Sequence, residues 1–136
     1  MASKATAITL TNPQEYDEEA RALYEMHGNR LLAIPNLRFT ATAQESRMIN
    51  EMPGPKIIVS ASGMADAGRI LHHLKHNLWR PECTILFVGY QANGTLGRSL
   101  IEGEKNVKLF GEPIEVHAHI ESLHGVSGHA LSLIHI

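Results

Sequence analysis

Cysteine is almost missing from the chain, with Cys83 the only one in 136 residues. A single thiol excludes an intramolecular disulfide framework and fits a reducing compartment. Long hydrophobic runs are missing too. The longest lies around Thr84–Tyr90, far short of the roughly 20 residues that span a bilayer as a helix. The opening Met-Ala-Ser-Lys-Ala-Thr has no hydrophobic signal region. Neither charge sign dominates, since 12 Lys and Arg face 14 Asp and Glu for a formal charge of −2. Overall charge therefore announces no basic nucleic-acid surface, although a local patch stays open. What remains is a soluble chain with no membrane partner, expected in the cytoplasm. Apolar residues reach 43%, enough to bury a core and to exclude general disorder. The length suits one domain. Nine histidines, clustered in the second half, are many for this length.

The pattern along the chain predicts α/β architecture. Asn12-Pro13 reads as an N-cap with proline at the first helical position. Ala20, Leu23, Tyr24 and His27 then share one face, and Gly28-Asn29 ends the helix. Leu37–Thr40 reads as a short strand. Thr42-Ala-Gln-Glu45 has capping-box spacing, so a second helix should run to about Glu51. Lys56–Ser60 and Thr84–Val88 are compact apolar runs, expected as strands buried on both faces. Ala65–Asn77 between them reads as a helix, giving a βαβ unit with right-handed parallel pairing. Leu96–Gly103 follows as a short helix. Asn106–Phe110 and Ile114–Ile120 read as two more strands around Gly111-Glu112-Pro113.

Two loops have the residues for anion chemistry. Ser60-Ala-Ser-Gly-Met64 lies where a parallel strand should hand over to a helix, the edge at which open α/β sheets bind ligands. Small residues allow close backbone approach, two hydroxyls add donors, and a helix start supplies N–H groups. The loop suits a phosphate or another oxyanion; equally, it can be a small-residue turn with no ligand. Asp66 counts against the anion, because an acid at a helix start already uses the dipole. Gly94-Thr95 begins the next helix, and Arg98 could hold a phosphate bidentately. A tight turn with a solvated arginine is the alternative. If both loops sit on neighbouring strands, they face one crevice.

The histidines offer weaker signals. His72 and His76 are four apart on a helix, but no carboxylate or cysteine completes a metal set, so they read as packing or surface groups. His117, His119 and Glu121 should point to one face of a strand, with Val116, Ala118 and Ile120 toward the core. That face could chelate zinc, or it could simply be solvated. His129 lies in the flexible Gly125-Val-Ser-Gly-His-Ala130 stretch, where an imidazole can move a proton near neutral pH.

The order of Ile57–Met64, Gly68–Leu74, Leu86–Gln91, Gly94–Arg98 and Gly125–Ala130 closely resembles the metallo-β-lactamase-fold ribonucleases that carry a β-CASP domain. It is most similar to the bacterial relatives of the polyadenylation-factor endonuclease, from about Lys4 to Ala130. The resemblance implies a β-CASP parallel-sheet α/β domain running into a partial metallo-β-lactamase-fold β segment. It implies residues 1–92 as the β-CASP portion and 93–130 as the start of the returning segment. Residues 131–136 depart from the family and read as a non-native tail. The resemblance implies zinc-dependent hydrolysis of RNA, in which two metal ions activate water. In such enzymes the histidine of the Ser-Ala-His-Ala motif, here Ser127-Gly-His129-Ala, is the general acid. The resemblance also places the Ser60–Met64 loop in the substrate cleft. Gly128 stands where alanine is usual, and Leu131 where an aspartate commonly follows.

The family's His-x-His-x-Asp-His metal motif does not occur in these 136 residues. The expected reading is therefore an internal portion of a zinc-dependent ribonuclease, inactive alone. It would supply the RNA-binding cap through Ser60, Ser62, Gly63, Met64, Gly94, Thr95 and Arg98, and the general acid through His129. The expected partners are RNA and the missing metallo-β-lactamase domain. No zinc is expected to be held by this portion itself. Strands left without neighbours could drive homodimerisation or aggregation. Two alternatives are a stand-alone, non-enzymatic module for RNA or nucleotide phosphates, and a small zinc-binding protein using His117, His119 and Glu121.

Overall fold

The computed structural model describes residues 8–27 and 35–123. The chain forms two compact units, Met1–Ala41 and Thr42–Ile136. In the first, a 3-10 turn at Pro13–Glu15 precedes helix α1, Glu18–His27. The cap lies later than Asn12, which makes no side-chain capping bond. The Asp17 carboxylate instead accepts from Ala20 N at 2.8 Å, and the Tyr16 ring packs edge-on against Tyr24 at 5.6 Å. Ala20 and Tyr24 are half-buried, whereas Leu23 and His27 stay exposed. The strand expected at Leu37–Thr40 does not form. Among the described residues no strand pairs with it, and Leu37 and Phe39 are open to solvent.

The second unit begins as local chemistry dictates. Thr42 and Glu45 form the reciprocal capping box of α2, Ala43–Met48, which continues as a 3-10 turn over Ile49–Glu51. The elements that follow are α3 (Ile70–Asn77), β1 (Thr84–Val88) and α4 (Leu96–Ile101). Strands β2 (Asn106–Leu109), β3 (Glu112–Glu115) and β4 (His119–Leu123) complete it. Helices and a parallel strand pair alternate, so the architecture is α/β. Leu74 and Leu78 at the end of α3, Phe87 of β1 and Leu100 of α4 form its core with Val107, Leu109 and Val116. Among the described residues, no helix is long and apolar enough to cross a membrane.

Three expectations are corrected by tertiary structure. First, Lys56–Ser60 is not a buried strand. It runs without strand pairing, with Ile57 95% and Val59 93% exposed. The parallel partner of β1 is β4, in register from Thr84 opposite His119 to Val88 opposite Leu123. Second, the outer face of β1 is open at Leu86 and Val88, so only one face is buried. Third, the chain does not continue as one strand from Ile114 to Ile120. β3 pairs antiparallel with β2 across a tight turn at Phe110-Gly111, both at positive φ. The backbone then switches sheets, with His117 N and Ala118 N both donating to Leu78 O at 2.8 and 2.9 Å. Even so, Val116 and Ala118 are buried and His117 and His119 exposed, as the alternation predicts.

His73 ties α3 to α2. Its Nδ1 lies 3.0 Å from Asn50 Oδ1 and its Nε2 2.9 Å from Ser46 Oγ. The Asn50 carbonyl oxygen can only accept, so Nδ1 carries the proton and Nε2 accepts from the serine. Burial, and the neighbouring His72 and His76, hold its pKa below the ordinary 6.5. The unfolded chain therefore binds the extra proton first as pH falls. Stability should be fully present above pH 6.5 and decline as pH drops toward the folded value. Urea midpoints at about pH 7.5 and about pH 5.5 should show this loss, and His73→Gln should shrink it. An equal loss in the variant would assign the effect to other groups.

Candidate functional site

The site grows from the stretch after Ser60. Helix α3 does not start at Ala65; it starts at Ile70, with Arg69 at the N-cap position and no side-chain capping bond there. The delay has a backbone cause. Ala65 takes φ +59 and Gly68 φ +83, values that no right-handed helix contains. A Cβ on Gly68 would also meet Ala61 O at 3.1 Å. Residues 60–69 are therefore a turn closed on itself. Ala65 N donates to Ser62 O at 3.1 Å, Ser62 N to Ala67 O at 3.3 Å, and Ile70 N to Ala61 O at 3.4 Å. This corrects the expectation that a helix N-terminus would present its amides to a ligand at Ser60–Met64.

The segment after β1 docks onto this turn. Gln91 is 4% exposed, and its Nε2 donates to Gly63 O at 3.0 Å. Gly97 N donates to Met64 O at 3.0 Å. The Asp66 carboxylate accepts from Leu96 N at 3.0 Å. Asp66 thus uses the dipole of α4, not that of α3. Thr95 is the true N-cap of α4; its Oγ1 accepts from Arg98 N at 3.2 Å and donates to Ala92 O at 2.7 Å. The first three amides of α4 are all consumed by Asp66, Met64 and Thr95. An anion at this helix end would compete with a carboxylate already in place.

The two loops expected to share a crevice are therefore joined at one edge of the second unit. Ser60 and Ser62 are half-buried, with Ser60 Oγ donating to Ala61 O at 3.2 Å. Gly63 is exposed and Met64 half-buried, each lending its carbonyl to the docking contacts. Gly94 sits exposed at φ +82 in the turn before Thr95. Arg98 pairs with Glu102 through a 2.7 Å Nε contact one turn along α4. Such exposed pairs contribute only about 0.3–0.5 kcal/mol, so the guanidinium can exchange partners. His129 lies outside the described residues. Gln91, Asp66 and Gly97 carry the junction. For Gln91 the sequence signal was a carboxamide three residues after β1; its Nε2 is bonded to Gly63 O, while its buried Oε1 has no partner among the described residues.

The metal reading of His117, His119 and Glu121 is corrected. His117 Nε2 lies 3.0 Å from Glu115 Oε2, its own neighbour on the chain. Among the described residues, no three His, Cys, Asp or Glu side chains are placed to hold a metal. His72 instead stacks on Phe110, with ring centres 4.8 Å apart.

Residues 1–100 match the Beta-Casp domain family. The chain belongs to that family. Among curated proteins, this Beta-Casp chain is 35% identical over 130 residues to a ribonuclease of Thermus thermophilus, covering 96% of the chain and 30% of the relative. It is 29% identical over 132 residues to the transcription termination factor FttA of Methanosarcina mazei, covering 93% and 21%. The FttA of Thermococcus kodakarensis is 31% identical over the same length, covering 93% and 20%. The chain thus spans about a third or less of the length of these relatives.

Proposed function

We propose that this chain is the RNA-binding Beta-Casp portion of an RNA phosphodiester hydrolase. The observation that supports this reading is the joined edge, at which Gln91, Gly97 and Asp66 lock the Ser60–Met64 turn to the Gly89–Arg98 segment in a Beta-Casp chain. In this reading the Ser60 and Ser62 hydroxyls and the backbone of Gly63 and Met64 meet the RNA phosphates. Arg98 leaves Glu102 to neutralise one of them. Gly94 and Thr95 build the edge by turning and capping α4. His129 hands a proton to the departing oxygen as general acid. Residues 1–92 form the cap and 93–130 lead back toward the hydrolytic domain.

Zinc dependence belongs to the proposal for the whole hydrolase. Among the described residues, no three His, Cys, Asp or Glu side chains fit a zinc ion. In this reading the metal ligands come from the companion metallo-β-lactamase domain.

The test has two parts. Fluorescence anisotropy with a short labelled single-stranded RNA should show binding that weakens between about 50 and 200 mM salt. Arg98→Ala should lower the magnitude of the log–log salt slope by about 0.7, one phosphate contact on a single strand. In a chimaera, this chain should replace the matching segment of the Thermus ribonuclease, retain RNA cleavage, and lose most of it on His129→Ala. A wild-type chain that binds no RNA sinks the proposal. A chimaera that binds RNA yet never cleaves it favours the non-enzymatic module.

A further inference from the structure

The chain's one tryptophan is not in its core. Trp79 follows α3 directly, one residue beyond fully buried Leu78, and remains 55% exposed. Its surroundings are fixed by the β2–β3 hairpin, which lies along α3. Phe110 stacks on His72, and Glu112 pairs with Lys75 at 2.8 Å. Pro113 and Ile114 then reach the cleft that Trp79 lines. His72 and Lys75 share one face of α3, so the turn residue Phe110 and the first residue of β3, Glu112, both meet that face. These two contacts bring the hairpin beside Trp79.

Two clefts meet here. One, about 420 Å³, is lined by Trp79, Pro113, Ile114, Glu115 and His117. The other, about 330 Å³, shares Glu115 and His117 and extends to Lys105 and Asn106. Both are shallow and open to solvent, so they offer a surface for a flat group rather than an enclosed pocket. Their chemistry changes along their length. An indole and a proline supply apolar surface at one end. A carboxylate acceptor and a carboxamide that both donates and accepts lie farther on, and an ammonium group ends the row. Glu115 Oε2 already lies 3.0 Å from His117 Nε2, which leaves Oε1 to accept from an edge donor, and Asn106 adds one donor and one acceptor. A flat heterocycle with donors and acceptors on its edge and a phosphate nearby matches all of them.

We propose that this cleft is a nucleobase subsite. One unpaired base stacks on Trp79, Asn106 and Glu115 meet its edge, and Lys105 pairs with the adjoining phosphate. The proposal extends the RNA reading to a second contact point built by α3 and the hairpin; the identity of the strand rests on that reading, while the recognition of a base is separately measurable.

Because Trp79 is the sole tryptophan, its fluorescence reports the cleft directly. Titration of the chain with the four nucleoside 5′-monophosphates should quench it, and ribose 5-phosphate should not. Trp79→Ala should weaken binding of short labelled RNA about tenfold in anisotropy, in line with the loss of one stacked base. Trp79→Phe should recover most of the affinity, which a merely misfolded variant could not do. Absence of quenching by every nucleotide overturns the proposal, as does equal quenching by ribose 5-phosphate. RNA that binds without quenching overturns the subsite and leaves the RNA reading standing. Nucleotide quenching with no strand binding supports the subsite and overturns the RNA reading. Emission that shifts to the blue only with rising protein concentration assigns the cleft to a second copy and overturns the proposal.

Discussion

Shortening Leu78 to alanine is expected to remove about 2–5 kcal/mol of stability, the range for a leucine truncated in a closed core. Leu78 is fully buried and packs with Leu74, Phe87 and Leu100. It also stands where three elements meet. Its amide closes α3 onto Leu74 O at 2.9 Å, and its carbonyl receives the amides of His117 and Ala118. A cavity there loosens the end of α3, and with it the point at which the chain leaves the hairpin for the parallel pair. Relaxation cannot fill the space cheaply, because these hydrogen bonds pin the backbone on both sides. Urea unfolding, followed by the fluorescence of adjacent Trp79, measures the loss. A change below about 1 kcal/mol would mean that the site collapses freely and that the junction is not rigid.

Gly97→Ala is expected to cost about 2–3 kcal/mol, combining overpacking with a broken buried hydrogen bond. A Cβ at this position would stand 1.9 Å from Gln91 Oε1 and 3.0 Å from Met64 O. The amide tip of a glutamine normally moves aside at little cost. Here Gln91 is buried and bonded to Gly63 O, so displacement breaks the contact that joins the two loops. The backbone at Met64 cannot yield either, since its carbonyl accepts from Gly97 N itself. A double-mutant cycle separates these causes. Gln91→Ala should soften the penalty of Gly97→Ala, so that the pair costs less than the sum of the singles. Strict additivity would show that the glutamine is not what the methyl strikes. The same variant should weaken RNA binding along with stability, because the Ser60–Met64 turn loses its anchor.

The parts of the fold that were legible in the sequence are those encoded within a few residues. The Thr42–Glu45 box needs only a hydroxyl and a carboxylate three apart, and it forms as read. The buried and exposed alternation at 116–119 follows from pleat geometry alone. Helix α3 ends at Asn77 as its apolar face suggested. In the candidate site, the two small-residue loops were visible as motifs, and their adjacency was an inference from βαβ topology.

Tertiary structure decided the remainder. Lys56–Ser60 has the composition of a buried strand, but a strand exists only where another backbone accepts its hydrogen bonds. β1 found that partner in β4, more than thirty residues downstream, and nothing in the local pattern could say so. The late start of α3 depends on left-handed backbone at Ala65, an alanine that no propensity would place there; it is held because Asp66 and Met64 beside it are engaged by α4. By itself the sequence determined the Thr42–Glu45 capping box, the alternation at 116–119, the α/β class and the family motifs, because each rests on spacing along one chain. Only the folded structure determined which strands pair, which amides of α4 are already used, and that Trp79 faces solvent, because each of these is a choice between partners distant in sequence.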